Sequence, residues 1–294
     1  MLMVTGANGN LGGQVIANLR RLVGPQGFVA GTRDPSSPFA RELAVSGVAV
    51  RRADFDDPDT LAAAFEGVEA ALFISTYAAN SARLGQNLNA IQAAKAAGVR
   101  RLAYTSFAGA SPTAGADHST EVHWPTEQAM TRSGMDYTIL RHALYADFLV
   151  GDLDATLATG VLRRAIGSGP CAYIARDDLG LSAATVLARP GHANRVYTET
   201  MEETLTGDQV ADLMSQVFGR KVRYEPVPSA DWAVYMTEHW GVPAELSKSS
   251  ISSMRAIENG EFDMATRDYE AITGRPPQAM RQFLEGVAAR RAAA

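Results

Sequence analysis

The stretch Leu2-Met3-Val4-Thr5 runs straight into Gly6-Ala7-Asn8-Gly9-Asn10-Leu11-Gly12, and Leu11, Val15, Ile16, Leu19 and Leu22 then share one face at helical spacing. A short strand, three glycines at three-residue intervals and an amphipathic helix form the setting in which such a turn binds a dinucleotide. Small residues let the backbone turn tightly and approach a pyrophosphate, whose charge is stabilised by free N–H groups at the helix N-terminus. Glycines chosen only for positive φ would also suit a plain turn. The strand before and the helix after make the dinucleotide the expected ligand.

The alternation continues. Strand-like runs at 2–5, 28–32, 48–51, 70–75, 101–106 and 137–140 are separated by helical segments, one carrying Leu84, Leu88, Ile91 and Ala94 on a face. Asp57-Pro58 reads as an N-cap with a first-turn proline for a helix through Leu61 and Phe65. This rhythm predicts an α/β chain with a Rossmann-type, doubly wound parallel sheet covered on both faces. After Leu140 the rhythm changes: 177–188, 206–218 and 279–288 read as helices, and 195–198 and 222–224 as strands. We therefore expect a nucleotide-binding domain over 1–145, with 172–200 returning to the sheet, and a smaller, mostly helical substrate-binding lobe over 146–294.

Twenty-seven Lys and Arg against 32 Asp and Glu give a formal charge of -5, with no dense basic run, so nucleic acid is not an expected partner. One cysteine, Cys171, allows no intrachain disulfide and suits a reducing compartment. Gly6 and Asn8 break up the first apolar residues and no run approaches the span of a membrane helix, so a cytoplasmic protein without membrane contact is expected. No Cys/His framework suggests a metal, and His118 and His192 lack ligand spacing.

The residue after the second strand selects the nucleotide. Thr32-Arg33-Asp34 stands there: Arg33 suits bidentate pairing with a 2′-phosphate, whereas Asp34 would bond a 2′-hydroxyl if Arg33 turned to solvent. NADPH is the expected cofactor, and NADH is the alternative.

The glycine stretch, Thr32-Arg33-Asp34, Ala53-Asp54-Phe55, Ile74-Ser75-Thr76, Ala94-Lys95-Ala96-Ala97-Gly98-Val99, Tyr104-Thr105-Ser106 and Tyr137-Thr138-Ile139-Leu140-Arg141 follow one another in a set order. In that order the chain resembles the NmrA-like branch of the atypical short-chain dehydrogenases, and most of all its quinone oxidoreductase type 2 and triphenylmethane reductase group. The resemblance covers nearly the whole chain, Asp177-Asp178-Leu179 included. It implies that Gly6, Asn8, Gly9, Asn10 and Leu11 wrap the pyrophosphate, that Arg33 holds the 2′-phosphate, and that Asp54 and Phe55 sit by the adenine. Asp54 would equally serve as a loop carboxylate. Ser75, Thr76 and Tyr77 would line the nicotinamide-side ribose, and His142 to Tyr145 would close over the nicotinamide.

The chain departs from the superfamily at the catalytic pair. Conventional members use Tyr-x-x-x-Lys, the Lys lowering the Tyr pKa for proton exchange as hydride moves; here His123 and Glu127 stand at those positions. Ordinary alcohol dehydrogenation is disfavoured, and hydride transfer to a conjugated acceptor is expected, with protonation from His123, Tyr145 or water. Each candidate has a plainer reading: His123 as a helix-entry residue, Tyr145 as a core aromatic, Ser106 as a hydroxyl bonded to backbone, and Glu127 as a surface carboxylate. Trp232, Tyr235, Met236 and Trp240 read as core that borders the substrate cleft.

The leading expectation is an NADPH-dependent reductase of a quinone, a triarylmethane-type or another conjugated aromatic or natural-product acceptor, monomeric or homodimeric. The alternatives are a non-catalytic NADP-sensing regulator and, third, a carbonyl reductase or epimerase.

Overall fold

The computed structural model describes residues 1–115 and 119–293. The chain divides into two compact units: residues 1–107, 121–141 and 176–197 form the first, and the remainder the second.

In the first unit the order is β1 (Leu2–Val4), α1 (Asn10–Val23), β2 (Phe28–Thr32), α2 (Pro38–Val45), β3 (Ala49–Arg52), α3 (Pro58–Ala64), β4 (Ala70–Phe73), α4 (Asn80–Ala96), β5 (Arg101–Phe107), α5 (Trp124–Thr131) and β6 (Asp136–His142). After the excursion into the second unit come α7 (Arg176–Ala188) and β10 (Arg195–Glu199), whose last two residues cross the boundary between the units. The seven strands form one sheet in the order β10-β6-β5-β4-β1-β2-β3. β1 runs parallel to both β2 and β4, with Met3 opposite Val29 on one side and Ala71 on the other. The strand order reverses between β1 and β4, and in open sheets of this kind ligands bind at that switch, beyond the carboxyl ends of the strands.

Apolar runs rather than alternating ones make β1, β2, β4 and β5, because helices cover both faces. Met3, Val29, Leu61, Phe65, Phe73, Ile91 and Leu102 fill the core. Helix α1 lies against α7, and the approach depends on Gly180: a Cβ there would stand 2.4 Å from the Gln14 Cβ. The expected strands and helices of this half stand within a few residues of their predicted positions. The start of α3 differs in its chemistry. Asp57 occupies the N-cap position but makes no capping bond; its carboxylate pairs with Arg52 at 3.1 Å instead.

The second unit carries β7 (Leu144–Tyr145), α6 (Leu153–Thr159), β8 (Val161–Arg164), β9 (Cys171–Ile174), β11 (Thr204–Leu205), α8 (Gly207–Phe218), β12 (Arg223–Pro226), α9 (Ser229–Trp240), α10 (Ala244–Glu258), α11 (Asp268–Thr273) and α12 (Met280–Ala292). Two small sheets, β11-β9-β7 and β12-β8, hold its helices together. Helix α8 opens with a full capping box, Thr206 accepting from the Gln209 N–H while the Gln209 side chain accepts from the Thr206 N–H. Trp232 and Met236 are buried, and Trp232 stacks on Tyr235 with centroids 5.4 Å apart. Buried Arg164 pairs with Asp152 at 2.5 Å and lies 5.1 Å from the Trp240 ring centroid. The aromatic group is a core with a cation–π anchor.

Candidate functional site

Helix α1 begins without help from any side chain. Its N-cap is Gly9, no side-chain bond caps it, and no acidic residue lies in its first turn. An uncapped, uncontested helix N-terminus favours an anion. The loop before it leaves room only for backbone: Gly6 has φ +66°, and a Cβ on Gly12 would fall 2.2 Å from the Gly6 carbonyl oxygen. The loop is pinned at three points. Thr5 Oγ1 donates to the Leu72 carbonyl, the Ala7 N–H donates to the Gly31 carbonyl, and Asn8 Nδ2 donates to Ser37 Oγ at 2.8 Å. A pyrophosphate fits this cradle. The Asn8–Ser37 link joins two loops and has no local signature in the sequence.

At the end of β2, Arg33 is exposed and makes no ion pair among the described residues. Asp34 is committed elsewhere: its Oδ1 accepts from the Ser36 N–H at 2.8 Å and the Ser36 hydroxyl at 2.5 Å. Those bonds from Ser36 hold the carboxyl below its usual range. Asp34 is thus a turn residue, its carboxylate engaged by Ser36.

Asp54 and Phe55 face inward to the protein. Asp54 lies 3.5 Å from the Arg52 guanidinium and accepts from the Asp56 N–H, while Phe55 is buried with its ring 5.6 Å from that of Phe73. Ser75 and Thr76 follow β4. The Ser75 N–H donates to Thr105 Oγ1 and its hydroxyl accepts from Arg83; the Thr76 hydroxyl donates to Gln86, which in turn donates to Asp56. Tyr77 is 71% exposed.

His123 ends a π-type turn before α5 and is buried. Its Nδ1 shares a 2.8 Å hydrogen bond with the Tyr104 hydroxyl, its Nε2 lies 3.4 Å from Arg83 Nη2, and Phe107 stacks on its ring at 6.0 Å. Asn87 donates to both Tyr104 and Thr126. Burial pushes the Tyr104 phenol up to about 12, against bonds from Ser75 and Thr126 and the charge of Arg83. The Arg83 guanidinium is driven below its usual range by burial, and its Nε has no hydrogen-bond partner. Arg83 and Asn87 have no signal in the sequence, where they read as ordinary members of a helix, and Tyr104 enters there only within the Tyr104-Thr105-Ser106 strand end.

Glu127 corrects the expectation of a surface carboxylate. It is buried, accepts two bonds from Arg141 at 3.0 and 2.6 Å, and accepts the Ser106 hydroxyl at 2.6 Å. The bidentate guanidinium is what makes burial of this charge tolerable. Ser106 bonds a side chain rather than the backbone.

His142 and Tyr145 belong to the second unit. His142 is buried and its Nδ1 shares a 2.8 Å hydrogen bond with the half-buried Tyr145 hydroxyl. On its other side, Nε2 lies 3.5 Å from Glu199 Oε2. That is ion-pair range but not a hydrogen bond, and both Glu199 oxygens, fully buried, lack a hydrogen-bond partner. Glu199 had no distinguishing signal in the sequence beyond an acidic residue closing a strand-like run.

Among the described residues no group of three or more His, Cys, Asp or Glu is placed to hold a metal, and His118 lies outside them. No helix among the described residues is long and apolar enough to cross a membrane.

The NmrA-like family matches residues 1–266, and the chain belongs to it. Quinone oxidoreductase 2 of Escherichia coli is 36% identical over 266 residues, covering 90% of each chain. The crystal structure of an Escherichia coli NADPH-dependent quinone oxidoreductase complexed with NADPH superposes with a TM-score of 0.89 at 32% identity, covering 98% of this chain and 100% of the other. That of Citrobacter sp. triphenylmethane reductase complexed with NADP(H) gives 0.86 at 34%, covering 98% and 99%.

Proposed function

We propose that this NmrA-like protein is an NADPH-dependent reductase of quinones and of other conjugated aromatic acceptors, triarylmethane cations among them. The observation that carries the reading is the pairing of an uncapped, glycine-lined helix N-terminus with an exposed Arg33 that has no ion pair among the described residues, beside an Asp34 tied into its own turn. Names of the relatives support the acceptor class: one is a quinone oxidoreductase and one a triphenylmethane reductase.

Gly6, Asn8, Gly9, Asn10 and Leu11 hold the pyrophosphate, Arg33 the 2′-phosphate, and Ser75 and Thr76 the ribose on the nicotinamide side. Asp54 and Phe55 border the adenine side through their backbone, since the carboxylate is paired with Arg52 and the ring is in the core. Bound NADPH supplies a hydride from C4 of its nicotinamide. The protein positions the acceptor against that ring and excludes water. Of the catalytic candidates Tyr145, His123 and Ser106, Ser106 already donates to Glu127, and both His123 ring nitrogens face Tyr104 and Arg83. These two act as positioning residues. Tyr145, half-buried and bonded to a histidine, is the catalytic acid, with His142 to Tyr145 closing over the nicotinamide. The single cysteine, buried at Cys171, fits a cytoplasmic setting.

The test is NADPH consumption by purified protein with a quinone and with a triarylmethane cation. Turnover with either is expected. Tight NADPH binding without turnover on both would replace the reductase by a nucleotide sensor.

A further inference from the structure

Glu199 is the feature that the cofactor groove does not explain. A carboxylate with no exposure and no hydrogen bond to either oxygen is rare, since burial of such a group ordinarily demands full satisfaction. His142 Nε2, also without a hydrogen bond among the described residues, lies within ion-pair range of it, and the other nitrogen of that ring meets the Tyr145 hydroxyl. The three groups therefore form a line from a buried carboxylate through an imidazole to the phenol of half-buried Tyr145. The backbone fixes the line from both ends: the Ala143 N–H donates to the Glu199 carbonyl, and Tyr145 pairs with Ile174 across β7 and β9.

We infer that His142, with Glu199 as its buried counter-charge, resupplies the proton of Tyr145 when the acceptor's reduction requires one. The inference rests on the reductase reading above. A quinone that takes a hydride becomes a hydroquinone monoanion and needs one proton. The Tyr145 O–H bond breaks as the hydroquinone O–H bond forms; the imidazolium Nδ1–H of His142 then returns a proton to the phenolate. Glu199 stabilises the imidazolium beforehand, and after turnover water restores the proton of His142 through the Tyr145 hydroxyl, the group its Nδ1 meets. The 3.5 Å gap at Nε2 leaves the carboxylate as a counter-charge rather than a competing proton acceptor. Tyr145 is the catalytic residue, and His142 and Glu199 are positioning residues that act through it.

A triarylmethane cation separates this role from a structural one. Hydride addition to its central carbon forms a C–H bond and a neutral product, with no proton required. The two reactions share the cofactor, so their ratio cancels any loss of NADPH affinity. Glu199→Gln, His142→Gln and Tyr145→Phe should each lower the quinone-to-dye ratio of kcat about tenfold or more. They should also reduce the solvent deuterium isotope effect on quinone turnover. In the cofactor-free protein, the downfield imidazole N–H resonance assigned to His142 by its loss in His142→Gln should move in both other variants. Equal loss in both reactions, or no change in the ratio, would overturn the relay while leaving the reductase intact. No turnover of either acceptor by the unmodified protein would instead overturn the reductase reading, and Tyr145→Phe, with its half-buried ring retained, guards against a variant that fails to fold.

Discussion

Glu127 in the first unit and Glu199 in the second are both buried carboxylates, and they are treated in opposite ways. Glu127 accepts three hydrogen bonds, two from Arg141 and one from Ser106; Glu199 accepts none through its side chain and faces an imidazole at 3.5 Å. A satisfied buried ion is a brace, and removing one partner strands the other. An unsatisfied one contributes little to hold the fold, so its retention points to use during turnover. The same contrast separates His123, locked between Tyr104 and Arg83, from His142, whose Nε2 has no hydrogen bond.

Replacing the brace should have the largest effect. Glu127→Ala leaves Arg141 without its carboxylate and should cost about 3–5 kcal/mol in chemical denaturation; a loss under about 1 kcal/mol would remove the distinction between the two carboxylates.

Tyr104 offers a second measure of how firmly the first unit is satisfied. Its phenol is pushed up to about 12 by burial, above the ordinary value near 10. The neutral form is the one the fold holds, so this contribution is complete below about pH 10 and disappears as pH rises through about 12. Stability should fall by about 2 kcal/mol over that window, and Tyr104→Phe should flatten the slope.

At the exposed edge, Arg33→Ala should raise the Kd for NADPH about tenfold or more while leaving that for NADH within about twofold, measured by fluorescence titration. Equal effects on both nucleotides would contradict the 2′-phosphate assignment. The smallest change is expected at Glu199→Gln, where stability should fall by about 1 kcal/mol, because a counter-charge 3.5 Å from His142 is lost but no hydrogen bond to the carboxylate is. A loss as large as that of Glu127→Ala would make Glu199 a brace as well.

Much of the first unit was legible in the sequence. Its strands read as short apolar runs because helices cover both sheet faces, and α1 and α4 read from one-sided apolar spacing; these are signals contained within a few residues. Cap chemistry was less so. Asp57-Pro58 reads as an N-cap pair for α3, yet Asp57 makes no capping bond and turns to Arg52 because β3 places a guanidinium within reach. Glu127 reads as surface in a linear helix and is buried because β6 brings Arg141 beside it. Phe55 reads as an adenine neighbour and packs on Phe73 because β4 lies alongside.

The sequence by itself determined the class of sheet and the strand-glycine-helix order of its first unit, since each depends on spacing within a strand, a turn or the first turn of a helix. Only the tertiary structure decided which charges are buried and which of those are answered. Glu127 and Glu199 are the same residue type, and their fates differ because the partners arrive from strands remote in the chain: a guanidinium in one case, an imidazole without a hydrogen bond in the other.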